Sequence, residues 1–102
     1  MPTTPKVLFR GAATTTTSTT LYTVPANTIA VVTNIVVTNT AGSSGTFTMS
    51  LNDVNLATTV TVGANDSSVL DIKQVLAAGN TIKGGASATS INFHISGVEV
   101  SS

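Results

Sequence analysis

The chain has 102 residues, zero formal net charge and no cysteine, with 8% charged and 41% hydrophobic residues. That length holds one domain, which buries about 60–65% of its unfolded surface. Four scattered cations cannot neutralise a run of phosphates, so nucleic-acid binding is not expected, and without cysteine there is no disulfide, thiolate metal site or cysteine nucleophile.

Met1 to Pro5 holds two prolines and two threonines and is expected as an extended, poorly ordered arm. The apolar Val7-Leu8-Phe9 run is too short for a signal peptide. Lys6-Val7-Leu8-Phe9-Arg10 predicts a short first strand ending at Gly11, with Val7 and Phe9 on one face. Residues 1–12 are therefore read as an N-terminal arm and 13–102 as the folded domain. Threonine makes up about a fifth of the chain. Its branched Cβ suits a pleated surface, so Thr14 to Thr20 predicts an exposed strand or a loop becoming one. Elsewhere the threonines recur too irregularly for an ice-binding array.

Leu21 to Asn39 is the longest apolar-rich run, with a corner at Val24-Pro25-Ala26-Asn27 where proline withdraws an N–H and fixes φ. Ile29 to Val37 has apolar side chains at both parities, so it is buried on both faces or covered on one by a neighbouring subunit. Asn34 marks a bulge or register change within it. Asn39 to Gly45 reads as a turn region.

Thr46 to Leu51 alternates cleanly, with Phe47, Met49 and Leu51 inward. A tight turn at Asn52-Asp53 leads to Val54-Asn55-Leu56 and Thr59 to Val62, which alternate in the same way. Gly63 to Asp66 turns the chain again, and Ser67 to Ile72 predicts a strand with Leu70 and Ile72 on one face. Gln74 to Asn80 is the one stretch that could hold a helical turn, ended by Gly79-Asn80. Thr81-Ile82-Lys83 predicts a strand stopped by Gly84-Gly85. The last strand, Ser90 to Ser96, alternates strictly, and a bulge at Ser96-Gly97 would return Val98 and Val100 to the face of Ile91, Phe93 and Ile95. Short strands, frequent turn signals and almost no helix predict an all-β chain, a single antiparallel β-sandwich of jelly-roll or other Greek-key type with an extended N-terminal arm.

Residues able to carry chemistry are few. His94, the only histidine, falls on the outward parity of the last strand, and no nucleophile-elbow pattern such as G-x-S-x-G is present. Asp53 and Asp66 sit in turns, where aspartate usually bonds its own backbone; Asp71 and Lys73 share strand parity and read as an exposed pair. Asn52 to Asn55 lacks the further acids of a calcium loop, and Gly84-Gly85 has no following Lys-Ser/Thr to make a phosphate cradle. Without tryptophan there is little platform for sugars, and Tyr22 is expected at a sheet edge with its hydroxyl satisfied. Neither a catalytic residue, a metal ligand nor a cofactor is assigned. No apolar run reaches the ~20 residues of a membrane-spanning helix. Instead, neutrality and a mean hydropathy of +0.39 predispose the folded chain to associate.

Leu21 to Thr28, the apolar strand to Asn39, the Ala/Gly/Ser loop and Thr46-Phe47-Thr48-Met49 together resemble small structural proteins of tailed bacteriophages. Ser68 to Asp71, Val75 to Ile82 and Ser96 to Val100 are similar to the same pattern, so the resemblance covers roughly residues 20–100. It implies a head-decoration (cement) protein that forms a homo-oligomer, a trimer by expectation, and binds across major capsid subunits. The implied location is the capsid surface of a virion assembled in the host cytoplasm, with no reaction and no membrane or nucleic-acid partner. A tail, baseplate or fibre subunit is the alternative within that resemblance; a host-glycan binding module is the alternative outside it. Contacts are expected on the arm (Lys6, Val7, Leu8, Phe9 and Arg10), on Tyr22, and on the outward side of the long strand at Val32 and Val36.

Overall fold

A computed structural model describes residues 3–101; Met1, Pro2 and Ser102, the first two in the expected arm, lie outside the described residues. The strands are β1 (Thr3–Ala12), β2 (Thr20–Thr23), β3 (Thr28–Asn39), β4 (Gly45–Leu51), β5 (Val54–Val62), β6 (Ser67–Leu70), β7 (Gln74–Leu76), β8 (Thr81–Ala86) and β9 (Ile91–Ser101). One sheet runs β1-β9-β3-β6, with β7 also paired to β3; the other runs β2-β8-β4-β5. The pairs nest: β4 with β5, β3 with β6 and β7, β2 with β8, β1 with β9. That is one long antiparallel ribbon folded at the β4–β5 hairpin and rolled into two layers, a jelly roll.

The layers meet on alternating side chains. Phe47 of one sheet and Phe93 of the other pack edge to face, centroids 6.1 Å apart at 70°. Ile35, Val37, Met49, Ile82, Ile91 and Ile95 fill the space around them, all fully buried. The corners and turns of the chain follow sequence signals. The Val24 to Asn27 corner carries the chain from β2 to β3, with Asn27 at φ 58° and Val24 N–H donating to Asn80 O at 2.9 Å. Asn52 and Asp53, both at positive φ, form the two-residue turn joining β4 and β5. The buried Asn39 ties three segments together: its Nδ2 donates to Ser43 O and Val62 O, and its Oδ1 accepts from Ala41 N and Ser90 Oγ.

Several local expectations are corrected. Thr3–Ala12 is extended, but it is the edge strand of a sheet, paired with β9 from Thr3↔Val100 to Ala12↔Asn92, and not a projecting arm. Gln74 to Leu76 forms β7 in place of a helical turn, because the edge of β3 beyond β6 offers it partners at Ala30, Val31 and Val32. β8 continues through Gly84-Gly85, where bare backbone is required. A Cβ on Gly84 would sit 3.0 Å from Thr48 O, and one on Gly85 would run into Thr16 O. The threonine-rich segment takes the second of its two expected forms, a loop that becomes strand at Thr20; it folds over Gly85 and is stitched by Thr14 and Thr19 hydroxyls 2.6 Å apart. In β5 the alternation breaks. Register shifts against β4 leave Ala57 and Val62 buried and Val54 and Leu56 exposed.

The largest correction concerns β9. It is regular throughout, with Ile91, Phe93, Ile95 and Gly97 all inward, and the bulges lie in its neighbours. On one side Val7↔Ser96 is followed by Phe9↔Ile95, leaving Leu8 as the extra residue. On the other, Val32↔Gly97 is followed by Asn34↔Ser96, leaving Thr33 extra, so the shift expected near Asn34 is present. Each bulge flips side-chain parity. Val7 consequently points outward while Phe9 points inward, so the two do not share a face.

Gly97 is where the two bulges close in: a Cβ there would run into Val31 O and come within 2.9 Å of Leu8 Cδ1. Gly97→Ala is therefore expected to destabilise the fold by more than about 2 kcal/mol, read as a lower urea midpoint with an unchanged m-value.

Candidate interaction surface

The register places the outward residues of the five-stranded sheet in rows. Pro5, Val98, Val31 and Val75 lie side by side across β1, β9, β3 and β7. Val100 and Ile29 form the next row toward one end of the face. Toward the other end come Val7, Ser96 and Asn34, then Arg10, His94, Val36 and Val69. The Ile29 to Val37 strand thus resolves as one face in the core and one on the exterior. Ile29, Val69 and Val75 are 43%, 58% and 68% exposed. Over β9 this face dips into a groove of about 450 Å³, lined from β1 by Pro5, Lys6 and Val7, from β9 by Ser96, Gly97 and Val98, and from β3 by Thr33. Val54 and Leu56 form a second exposed apolar patch on β5, beside a hollow shared with Leu51 and Gln74.

The residues expected to make contacts divide. Val7, Arg10 and Val36 lie on the outer face. Leu8 and Val32 do not: both are buried in the core, because the Leu8 bulge turns that side chain in and the Thr33 bulge separates the parity of Val32 from that of Val36. Phe9 is partly buried against the core. The alternation missed Ile29, Val31, Val75, Val98 and Val100 as members of the face; the signal available was the doubly apolar Ile29 to Val37 run.

Tyr22 and Lys6 meet at one end of the sandwich on Glu99. The Tyr22 hydroxyl donates to Glu99 Oε2 across the two sheets, and Lys6 Nζ lies 3.3 Å from the same carboxylate. The bond from Tyr22, with Lys6 adding to it, holds Glu99 below its ordinary value against the opposing effect of burial. Burial, then the bond to Glu99, pushes the Tyr22 phenol far up, so it stays protonated and donating. This half-buried, engaged ring is not an open sugar platform.

The other charged groups act locally. Lys83 pairs with Asp53 at 2.7 Å, and Asp66 Oδ1 accepts from Ser67 N–H at 2.8 Å as a turn aspartate does. Asp71 and Lys73 lie in the connection between β6 and β7 and do not make the pair expected of them. Among the described residues no three His, Cys, Asp or Glu side chains converge. His94 sits in its outward row between Arg10 and Val36.

Neither protein-family models nor curated proteins match this chain. Among solved structures it is similar to the Agl-KA catalytic domain, at 15% identity and a TM-score of 0.42, over 100% of this chain. The chain spans 28% of that protein's length. At that level of likeness none of that protein's chemistry is carried over.

Two outcomes follow from the Tyr22–Glu99–Lys6 cluster. Tyr22→Phe should lower stability by about 1 kcal/mol at neutral pH. The folded protein holds the Glu99 proton less tightly than the unfolded chain does, so this contribution is present above the unfolded value, about 4.3, and is lost as pH falls through the folded one. Chemical denaturation across that range should show the gap between wild type and Glu99→Gln shrinking on acidification.

Proposed function

We propose that this chain is a virion structural protein, a head-decoration protein of the tailed-phage kind, without a reaction or a cofactor. The observation that carries this reading is the uncovered apolar exterior. Val7, Ile29, Val54, Leu56, Val69 and Val75 are all at least 37% exposed in a domain of 102 residues. Clustered exposed apolar surface of this kind marks interaction sites in a soluble domain. At about 25 cal/mol per Å² of apolar area, a modest contact becomes significant when linked copies grip several subunits at once, because linkage raises effective concentration. The sequence resemblance supports the same reading, and so does the architecture: jelly rolls recur in viral capsid domains, although also in lectins, so that support is by analogy alone.

The partners in this reading are the major capsid protein and further copies of the chain, at the capsid surface of a particle built in the host cytoplasm. The Val54–Leu56 patch, on an edge strand and next to the β4–β5 turn, is the contact assigned to the capsid lattice. Tyr22 is tied to Glu99, so no observation favours the glycan-binding alternative.

Purified heads lacking the protein provide the test. Wild-type chain should co-sediment with them, and Val54→Asp/Leu56→Asp should cut occupancy at least about tenfold, the equivalent of ~1.4 kcal/mol. No binding by wild-type chain would remove the head reading. Immunogold label falling on the tail would replace it with the tail reading.

A further inference from the structure

We propose that the outer face of the β1-β9-β3-β7 sheet is the interface of a two-fold dimer, each copy laying this face against the same face of the other. The inference deepens the structural-protein reading, since it rests on treating the exposed apolar rows as an assembly surface. It also names their occupant. Three features of the face point to a second copy.

The first is size. The lengths of β1, β9, β3 and the short β7 at about 3.4 Å per residue, with strands about 4.8 Å apart, give a face of roughly 600 Å² in projection. A stable dimer buries about 800 Å² of accessible surface per partner, so the face is of the size that a copy of itself would cover.

The second is register. Exposed apolar side chains lie on both halves of the face, Val7 on β1 and Ile29 and Val75 on β3 and β7. A two-fold axis running along the strands, over the boundary between β9 and β3, exchanges the halves. Because Pro5, Val98, Val31 and Val75 share one row, that axis sets Val75 of each copy opposite Pro5 of the other, and Val31 opposite Val98. The same apolar pairings then occur on both sides of the axis.

The third is charge. A surface that meets itself must not bring like charges together. The apolar rows from Pro5 to Val75 and from Val100 to Ile29 hold no ionisable side chain. In the row with Arg10 and His94, the same axis sets Arg10 against Val69 and His94 against Val36. Three-fold packing would instead place the face against some different surface, and nothing on this face selects one.

Sedimentation velocity of the full chain without heads, from about 1 µM to about 100 µM, the weaker end of the affinities such areas give, tests the proposal. The expected mass is twice the 10.2 kDa of one chain. Val75→Lys and Pro5→Glu, both at exposed positions, should each weaken the dimer at least about tenfold. Mixing them should restore a mixed dimer, because Lys and Glu then face each other, while Val54→Asp should leave the dimer intact. Circular dichroism confirms that each variant is folded. A monomer throughout, a mass of three chains, or a mixture no stronger than its components would overturn the proposal. Head binding is scored separately. A dimer that ignores heads removes the decoration reading and leaves this inference standing, and a monomer that coats heads does the reverse.

Discussion

The architecture depends on a constraint at the middle of β9. That strand is regular, and both of its neighbours accommodate an extra residue opposite the same point, Leu8 in β1 and Thr33 in β3. Only a residue without a side chain can stand between two such irregularities, and Gly97 does. The bulges decide which apolar side chains enter the core. On β3 they send Ala30, Val32, Ile35 and Val37 inward and Ile29, Val31 and Val36 outward, so a strand with apolar residues at both parities serves two surfaces. The chemistry of the exterior is thus a product of backbone register as much as of composition.

The polar residues close the ends of the roll. Asn39 holds the loop that leaves β3 against β5 and the segment before β9, with its donor and acceptor groups both engaged. Near the opposite end of β9, Glu99 receives Tyr22 from the second sheet and Lys6 from the edge strand. Between them lies a core without charged residues, dominated by branched aliphatic side chains and two phenylalanines. Each polar tie is satisfied; among the described residues no buried side-chain polar atom lacks a partner.

Much of the fold was legible in the sequence because its signals were local. The Pro25 corner, the Asn52-Asp53 turn and the alternation of Phe47, Met49 and Leu51 are dictated by backbone chemistry and period alone. What was not legible depended on partners distant in the chain. Gly84-Gly85 looks like a strand end until the Thr16 carbonyl is seen lying over it. Leu8 and Val32 look outward until bulges reverse their parity, and Gln74 to Leu76 could open a helical turn until a vacant length of β3 takes it up. For the candidate surface, the sequence announced an excess of apolar side chains, but which of them share a face follows only from the rows that pair β1, β9, β3 and β7.

The sheet margins complete the picture. β1 carries Pro5 and a bulge; the opposite margin is interrupted, with β6 and β7 separated by Asp71, Ile72 and Lys73; and β5 is irregular, with Thr59 at φ 50°. Proline, interruption and irregularity are the devices that deny an incoming strand a straight hydrogen-bonding template. A neutral, threonine-rich chain, otherwise well suited to cross-β stacking, is thereby steered away from open-ended polymerisation. At these margins growth by strand addition has no straight template, and β2, the remaining edge, is only four residues long.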